Sequence, residues 1–286
     1  MTDRRPNQRA IDLFDRYTHG EMDRRKFLEK LTLLAGSSAA ALALLPALEN
    51  NYANAELLPE GDPRIKTEAL TLSDYKVYIA SPSSGGKLPT VLVIHENRGL
   101  NPHIKDVTRR IAAEGFLAAG VDFLSPAGGT PADEDKARDM IGALDKAATE
   151  AGARAVIADL RKREDGNGKV GAIGFCWGGG LVNRLAVTDP TLDAAVAYYG
   201  MQADAADVSK IKAPLLLQYA GLDERINAGI AAYEAALKAE GKAYELYMYD
   251  GVNHAFNNDT NAARYDKEAA DLAWRRSVDF LHKTLG

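Results

Sequence analysis

From residue 69 onward, short apolar runs alternate with longer stretches of helical composition, and this alternation is the strongest constraint on the fold. Residues 90–94 form a continuous run, Thr-Val-Leu-Val-Ile, which is typical of a strand buried on both faces of a parallel sheet. Strands that alternate with helices favour one α/β domain, because each helix returns the chain to begin the next parallel strand. The predicted strands are 69–72, 75–80, 90–94, 116–123, 169–175, 194–199, 214–220 and 243–249, and the predicted helices are 104–114, most of 132–163, 177–187, 226–240 and 261–284.

The first 55 residues have a different composition from the rest. A polar, charge-rich segment passes through Arg24-Arg25-x-Phe27-Leu28 into residues 31–48, which contain no charged side chain. The sequence Ala53-Asn54-Ala55 follows, a small-x-small site of the kind that signal peptidases cut. This order resembles a twin-arginine export signal.

Two positions depart from the usual export motif, since Asp23 replaces Ser or Thr and Glu29 replaces a common Lys. We predict a twin-arginine-type signal peptide over 1–55, removed or anchoring, and a domain over 56–286 of 286 − 55 = 231 residues. The expected location is the periplasm, with the export machinery as a partner and no stable membrane insertion after cleavage. The alternatives are a membrane anchor formed by an uncleaved signal and a buried hydrophobic helix.

Composition excludes several classes of function. The net charge is 35 − 40 = −5 with a pI of about 5.6, so no basic surface is expected and nucleic-acid binding is not predicted. The single cysteine excludes an internal disulfide and any multi-cysteine metal site. His95, Glu96 and His103 have a spacing that fits no common metal motif. No cofactor and no metal are predicted.

Residues 174–179, Gly-Phe-Cys-Trp-Gly-Gly, lie where a predicted strand meets a predicted helix. The pattern G-x-[Ser/Cys]-x-G in that context is a nucleophile elbow, a sharp turn that exposes the nucleophile above the sheet. Glycines flank the nucleophile because larger side chains would collide with the adjoining strand and helix. The following helix directs its N-terminal N–H groups at the sulfur and favours a thiolate. Cys176 is therefore a candidate nucleophile rather than a small buried cysteine.

An acid and a histidine follow Cys176 in the chain order that α/β-hydrolases use. Asp223 follows the strand at 214–220, and His254 follows the strand at 243–249. Ligands bind at the carboxyl ends of strands in open α/β sheets, so a Cys176–His254–Asp223 triad is predicted there. The nearest rival acids, whose ordinary roles are turn formation and helix capping, are Asp250 and Glu224.

The chain resembles the dienelactone hydrolase family, α/β-hydrolases that use cysteine in place of serine. The resemblance covers essentially all of residues 69–285 and implies the α/β-hydrolase fold, a mostly parallel sheet with helices on both faces. Its specific marks are Gly-Phe-Cys-Trp-Gly-Gly at 174–179, Ala-Gly-Leu-Asp at 220–223, Tyr-x-Gly-x-x-His-Ala-Phe at 249–256 and His-Glu at 95–96.

The resemblance also implies roles for the loop after the strand at 90–94. In that family, a glutamate at the position of Glu96 contacts the resting thiol and moves away to activate it when substrate arrives. The backbone N–H groups of Asn97 and Trp177 are implied to form the oxyanion hole. From the residues alone, Glu96 is interpreted first as a loop carboxylate paired with Arg98.

These residues predict hydrolysis of a small-molecule ester or lactone. Cys176 loses its proton to His254 or Glu96 and attacks a carbonyl to form a thioester, while Asp223 fixes the imidazole tautomer. Water activated by His254 then releases the acid. The alternative hypotheses are a catalytically silent α/β-hydrolase-fold protein with a binding or envelope-associated role, and a redox-active thiol, which the lack of a second cysteine disfavours.

The sequence departs from the family at the positions that hold the dienelactone carboxylate. Founding members use one arginine shortly after the strand that matches 116–123 and another shortly after the catalytic histidine. Residues 122–129 and 254–258 contain no arginine. Dienelactone itself is therefore a doubtful substrate, and Arg98 and Arg225 are the candidate replacements, unless they form surface ion pairs.

Overall fold

The computed structural model describes residues 6–52 and 57–286, and the described residues form one eight-stranded sheet flanked by helices. In chain order, the strands are β1 (Ile65–Leu72), β2 (Tyr75–Pro82), β3 (Leu88–Ile94), β4 (Leu117–Val121), β5 (Gly166–Phe175), β6 (Ala194–Tyr198), β7 (Leu215–Ala220) and β8 (Tyr244–Tyr249). Their order in the sheet is β1-β2-β4-β3-β5-β6-β7-β8. The first two pairings are antiparallel and the others are parallel. The predicted α/β-hydrolase fold is confirmed.

The helices follow the predicted alternation, with three differences. Residues 132–163 contain two helices because Asp145 caps a second one, its side chain accepting a hydrogen bond from the backbone N–H of Ala148. Residues 226–240 are likewise divided, and the last helix begins at Lys267 because Asp266 caps it. The helices are α1 (Gln8–Thr18), α2 (Arg24–Ala35), α3 (Ser38–Leu48), α4 (Pro102–Ala113), α5 (Glu134–Gly142), α6 (Lys146–Arg161), α7 (Trp177–Thr188), α8 (Glu224–Asn227), α9 (Ile230–Ala239) and α10 (Lys267–Leu285).

The sheet separates two apolar clusters, one on each face. The central strands contribute to both, since neighbouring side chains such as Val91 and Leu92 point to opposite faces and are fully buried. Parallel strands place their carboxyl ends at one edge of the sheet. The loops after β5, β7 and β8 therefore meet there, and these loops carry Cys176, Asp223 and His254.

The segment predicted to be an export signal contains three capped helices in this structure. Asp23 caps α2, and Gly36 ends it with a left-handed φ of 81°. The apolar faces of α1, α2 and α3 pack together, with the rings of Tyr17 and Phe27 stacked 4.7 Å apart. Residues 6–52, called here the N-terminal segment, thus have a small apolar core of their own, which also includes Ala263 of the hydrolase domain.

Hydrogen bonds and ion pairs hold the N-terminal segment against the loops at the carboxyl edge of the sheet. They join all three of its helices, and the chain just after them, to the loops around the predicted site. The contacts are Tyr17 Oη to Asp135 Oδ2 (2.5 Å), Asn97 Nδ2 to Thr18 O (2.8 Å), Arg264 Nη1 to Asp15 Oδ1 (3.6 Å), Arg24 Nη1 to Asp135 Oδ2 (3.3 Å), Asn261 Nδ2 to Leu48 O (2.5 Å) and Asn51 N to Thr260 O (2.8 Å).

Within the described parts of the chain, no single helix is long and apolar enough to cross a membrane. The pair α2 and α3 meets that criterion together, with a bend of 112° between the two helices. The predicted cleavage site at 53–55 lies outside the described residues. The export signal, its cleavage and the periplasmic location therefore stay predictions.

Candidate active site

Cys176 occupies a strained turn between β5 and α7. Its backbone has φ 55° and ψ −112°, a conformation that residues other than glycine rarely adopt. The glycines beside it permit very close backbone approach. A Cβ on Gly174 would lie 2.3 Å from the carbonyl oxygen of Gly178, and a Cβ on Gly178 would lie 2.5 Å from the carbonyl oxygens of Ile94 and His95. This is the geometry that the nucleophile-elbow motif predicts.

Asp223 and His254 form a buried pair at the neighbouring strand ends. One oxygen of Asp223 accepts a hydrogen bond from the N–H of Ile226, and the other lies 2.5 Å from Nδ1 of His254. Nε2 of His254 is buried without a hydrogen-bond partner among the described residues. A ring nitrogen of His254 lies within 4.8 Å of Sγ of Cys176. The imidazole therefore has one nitrogen held by a carboxylate and the other available to the thiol, whereas the rival acids, Asp250 and Glu224, are exposed.

Electrostatics favour a thiolate at this position. Burial raises the pKa of the Cys176 thiol, but the charges of His254 and His19 and the hydrogen bond from His19 outweigh burial and lower the pKa to about 6. Burial lowers the pKa of His254, but Asp223, Cys176 and Asp15 together raise that pKa well above its usual value. A thiolate and an imidazolium thus stabilise one another at neutral pH.

We expect the reactivity of Cys176 to show this shift directly. The thiolate is the reactive form, so the rate of alkylation by iodoacetamide should rise with pH and reach half its maximum near pH 6, rather than near the ordinary thiol value of about 8.5. Cys176 is the single cysteine of the chain. The fraction of protein that carries one added acetamide group, measured by intact mass, therefore gives the extent of alkylation of Cys176. A half-maximum above pH 8 would contradict the shift.

His19 is the residue of the site that sequence reasoning missed. It follows α1, and its Nε2 lies 3.4 Å from Sγ of Cys176. Its Nδ1 lies 2.7 Å from the carbonyl oxygen of Asp15 and 3.3 Å from a carboxylate oxygen of the same residue. The sequence shows only that Asp15 precedes His19 by four residues, which is a common spacing within a helix. That spacing does not indicate a contact with Cys176, which lies 157 positions further along the chain.

The three other predicted site residues line the same turn. The carboxylate of Glu96 accepts a hydrogen bond from Asn258 at 2.8 Å and one from Tyr199 at 3.4 Å, while the hydrogen-bonding neighbour of the thiol in the described structure is His19. Asn97 follows Glu96, and its side chain donates to Thr18 of α1. Trp177 is the first residue of α7, so its N–H has no partner within the helix.

A cavity of about 550 Å³ opens beside the thiol, lined by Cys176, His19, Tyr199 and Arg225 among others. Nε and Nη2 of Arg225 are buried and have no hydrogen-bond partner among the described residues. Buried donors of a charged group are normally paired, so this guanidinium is free to bind an anionic group in the cavity. Arg98 is not free in this way, since it is buried beside Glu134, to whose backbone oxygen it donates at 3.2 Å.

His19, Cys176 and His254 are also the one group of three metal-binding side chains found among the described residues. The strained elbow and the buried Asp223–His254 pair also have the geometry of a nucleophile beside its base. The residues considered from sequence are not brought together as a metal site. His95 stacks on Trp177 and accepts a hydrogen bond from the N–H of Phe123, whereas His103 pairs with Asp259.

Comparison with known proteins supports the fold and the family resemblance. The model of the dienelactone hydrolase family matches residues 75–285, and a second one, described as YqhI-like, matches residues 1–36. A protein of Saccharolobus solfataricus, named as a candidate carboxymethylenebutenolidase, is 33% identical over 245 residues, covering 73% of this chain and 93% of its own. A protein of the same name from Methylorubrum extorquens is 31% identical over 279 residues, covering 90% of this chain and 93% of its own.

Among solved structures, a candidate dienelactone hydrolase of Klebsiella pneumoniae superimposes with a TM-score of 0.71 at 27% identity. The match covers 77% of this chain and 99% of the other. The uncovered share of this chain is close in size to the N-terminal segment and the residues that join it to the domain.

Proposed function

The chain belongs to the dienelactone hydrolase family, and from that premise we propose that it hydrolyses a small-molecule ester or lactone through Cys176, His254 and Asp223. The observation that carries the proposal is the buried pair in which a carboxylate oxygen of Asp223 lies 2.5 Å from Nδ1 of His254. The other ring nitrogen has no hydrogen-bond partner among the described residues and lies within 4.8 Å of a thiol on a strained turn. A purely structural cysteine would need none of these features.

The reaction follows from the charges of the site. The Sγ thiolate attacks the carbonyl carbon, the C–S bond forms, and the leaving oxygen takes a proton from His254 as the C–O bond breaks. His254 then removes a proton from water, whose oxygen adds to the thioester, and the thiolate leaves with the acid released. Asp223 holds the imidazole in the tautomer that presents Nε2, and stabilises its positive charge.

The oxyanion of each tetrahedral intermediate is proposed to bind the backbone N–H groups of Asn97 and Trp177. Both residues adjoin the nucleophile, and the start of α7 adds the positive end of a helix dipole. Glu96 is proposed to contact the resting thiol and to move away when substrate arrives. The hydrogen bonds that its carboxylate accepts from Asn258 and Tyr199 in the described structure offer a position to which it can move.

The cavity indicates a substrate that carries an acidic group. Relatives of the chain are named carboxymethylenebutenolidase, and that name describes a lactone with a carboxylate. The arginines that the family uses for this carboxylate are absent from residues 122–129 and 254–258, but Arg225 lines the cavity, and its Nε and Nη2 have no hydrogen-bond partner among the described residues. We therefore propose that Arg225 binds the carboxylate of the substrate, and that Arg98, held by Glu134, does not.

Replacing Arg225 by glutamine should change substrate preference. The ratio of KM for a carboxylate-bearing lactone to KM for a neutral ester should rise about tenfold or more, since a charged hydrogen bond contributes about 1.5–3 kcal/mol. Arg184→Gln is the matched control, because Arg184 lines the same cavity but donates to Glu150 at 2.6 Å. An unchanged ratio in the Arg225 variant would exclude this role.

The function itself is tested with the purified full chain and a panel of activated aryl esters and small lactones, with and without a carboxylate. We expect hydrolysis, and an acyl group trapped by acid quench on the peptide that contains Cys176. Treatment with hydroxylamine should remove that group, as it does for thioesters. A panel without turnover and without a trapped acyl group would contradict the proposal and favour the alternative of a catalytically silent binding protein.

A further inference from the structure

The N-terminal segment places a second imidazole against the reactive sulfur. Nε2 of His19 lies 3.4 Å from Sγ of Cys176, and its ring stands perpendicular to that of His254 with centroids 4.8 Å apart. The thiol is thus bordered by two histidines, one from each part of the chain. Asn97, a neighbour of the nucleophile, also donates a hydrogen bond to the last residue of α1.

Each of these histidines has its own carboxylate. Asp223 holds Nδ1 of His254, and Asp15 lies 3.3 Å from Nδ1 of His19. Asp15 is itself mostly buried and interacts with Arg264 at 3.6 Å. In the second pair the backbone oxygen of Asp15 lies 2.7 Å from Nδ1 and the carboxylate lies beside it, so Asp15, like Asp223, orients an imidazole and leaves Nε2 for the sulfur.

We propose that His19, oriented by Asp15, is a second cationic partner of the Cys176 thiolate, and that the N-terminal segment is a permanent part of the enzyme. The inference rests on the proposed function, since it assigns His19 to the nucleophile of that reaction. As an imidazolium, His19 donates a hydrogen bond to the resting thiolate. It holds the nucleophile ionised while the proton released by the thiol is carried by His254 to the leaving oxygen, so the reaction needs no further proton donor.

The surroundings of the thiol are consistent with this role. Burial lowers the pKa of His19, but Cys176 and Asp15 raise it above its usual value. His19 thus carries a charge where it can stabilise a thiolate. The titratable and charged groups around the pair are Asp15 and His19 from the N-terminal segment, Glu134 and Arg138 from α5, His254 and Arg264 from the region after β8, Asp223 and Arg225 after β7, Tyr199 after β6, and Glu96 and Arg98 after β3.

The proposal requires the N-terminal segment to remain in the mature enzyme, whereas the predicted cleavage after residue 55 would remove it. Cleavage would remove His19 and the partner of Arg264, and would open the thiol to solvent. The YqhI-like match to residues 1–36 and the relative that matches 90% of the chain both include part of this segment, because 90% of 286 residues exceeds the 231 that follow residue 55. Such matches fit a segment that folds with the domain.

The decisive experiment compares wild type with His19→Gln in the full chain. We expect the half-maximum of iodoacetamide alkylation to move upward by about one pH unit or more, and alkylation at pH 7 to fall several-fold, because the thiolate loses one of two cationic neighbours. The kcat/KM for an aryl ester should fall about tenfold or more. Arg25→Gln is the matched control on the same segment, since Arg25 is exposed and pairs only with Glu29 in the described structure.

Alkylation does not require turnover, so it separates this inference from the proposed function. A shifted alkylation profile in a chain that hydrolyses no ester would contradict the function and retain the role of His19. An unshifted profile with unchanged kcat/KM would overturn that role. Thermal unfolding checks that His19→Gln is folded; if it is not, Asp15→Asn replaces it, with a smaller shift expected in the same direction.

Two further results would also overturn the proposal. The intact mass of the enzyme from the cells that make it should be near that of the full chain, 30.8 kDa, and a fully active product that lacks residues 1–55 would contradict it. Assays with and without EDTA should agree, since loss of activity on chelation would assign the three side chains to a metal ion instead.

Discussion

Cys176→Ala and His254→Gln are each expected to lower kcat for ester hydrolysis by about a thousandfold or more, and the double variant should be no slower than the slower single variant. Residues that act as one unit in a nucleophilic reaction show this lack of additivity. Alanine removes the sulfur that forms the thioester. Glutamine removes the base, and it leaves Asp223 buried beside an amide that cannot take up the proton of the thiol.

The measurement is steady-state hydrolysis of the best panel substrate, together with acid-quench trapping of the acyl group. His282→Gln is the control, because His282 lies on α10 and its Nε2 contacts the backbone of Glu114 far from the site. A His254→Gln variant within tenfold of wild type would exclude His254 as the principal base. Trapped acyl-enzyme in that variant, with slow release, would show instead that His254 acts mainly in deacylation.

Gly178→Ala is expected to cause a large loss of stability. The added Cβ would lie 2.5 Å from two carbonyl oxygens at the end of β3, those of Ile94 and His95. These atoms belong to the backbone of a central strand and cannot move aside as a flexible side chain can. We expect destabilisation of about 3 kcal/mol, the upper end of the usual cost of overpacking, because the neighbouring backbone is rigid.

Thermal and urea unfolding of the full chain measure this effect, with a fall in Tm of about 6 °C or more. Gly142→Ala is the matched control. Gly142 ends α5, and a Cβ there would have no atom within 4 Å, so alanine should be neutral or slightly stabilising. Equal unfolding curves for the two variants would show that the elbow tolerates a side chain at this position.

Most of the fold could be predicted because local patterns decide it. Apolar runs such as 90–94 and 214–220 have few alternatives to a buried strand, and glycine-flanked Cys176 has few alternatives to a sharp turn. The starts and ends of helices were less accurate where a single cap decides them. Asp145 divides the predicted helix over 132–163, because its side chain accepts the N–H of Ala148 and starts a new helix.

The order Cys176, Asp223, His254 and their positions after β5, β7 and β8 followed from the sequence, since parallel strands bring their carboxyl ends to one edge. Sequence separation does not show which charged side chains form ion pairs or hydrogen bonds with one another in the folded protein. Glu96 was interpreted as the partner of Arg98, yet the structure pairs Arg98 with Glu134 and Glu96 with Asn258. Side-chain packing in three dimensions makes those choices.

The sequence by itself determined the sheet, the elbow and the position of Cys176 on it, because each depends on a short pattern of apolar residues and glycines. Only the tertiary structure decided that α1 lies across the site and brings His19 to the sulfur of Cys176. An apolar stretch such as 31–48 has the same composition whether it enters a membrane or packs on Tyr17 and Phe27. The physical reason is that burial of apolar surface is non-directional, so the partner that covers it is set by the shape of the whole fold.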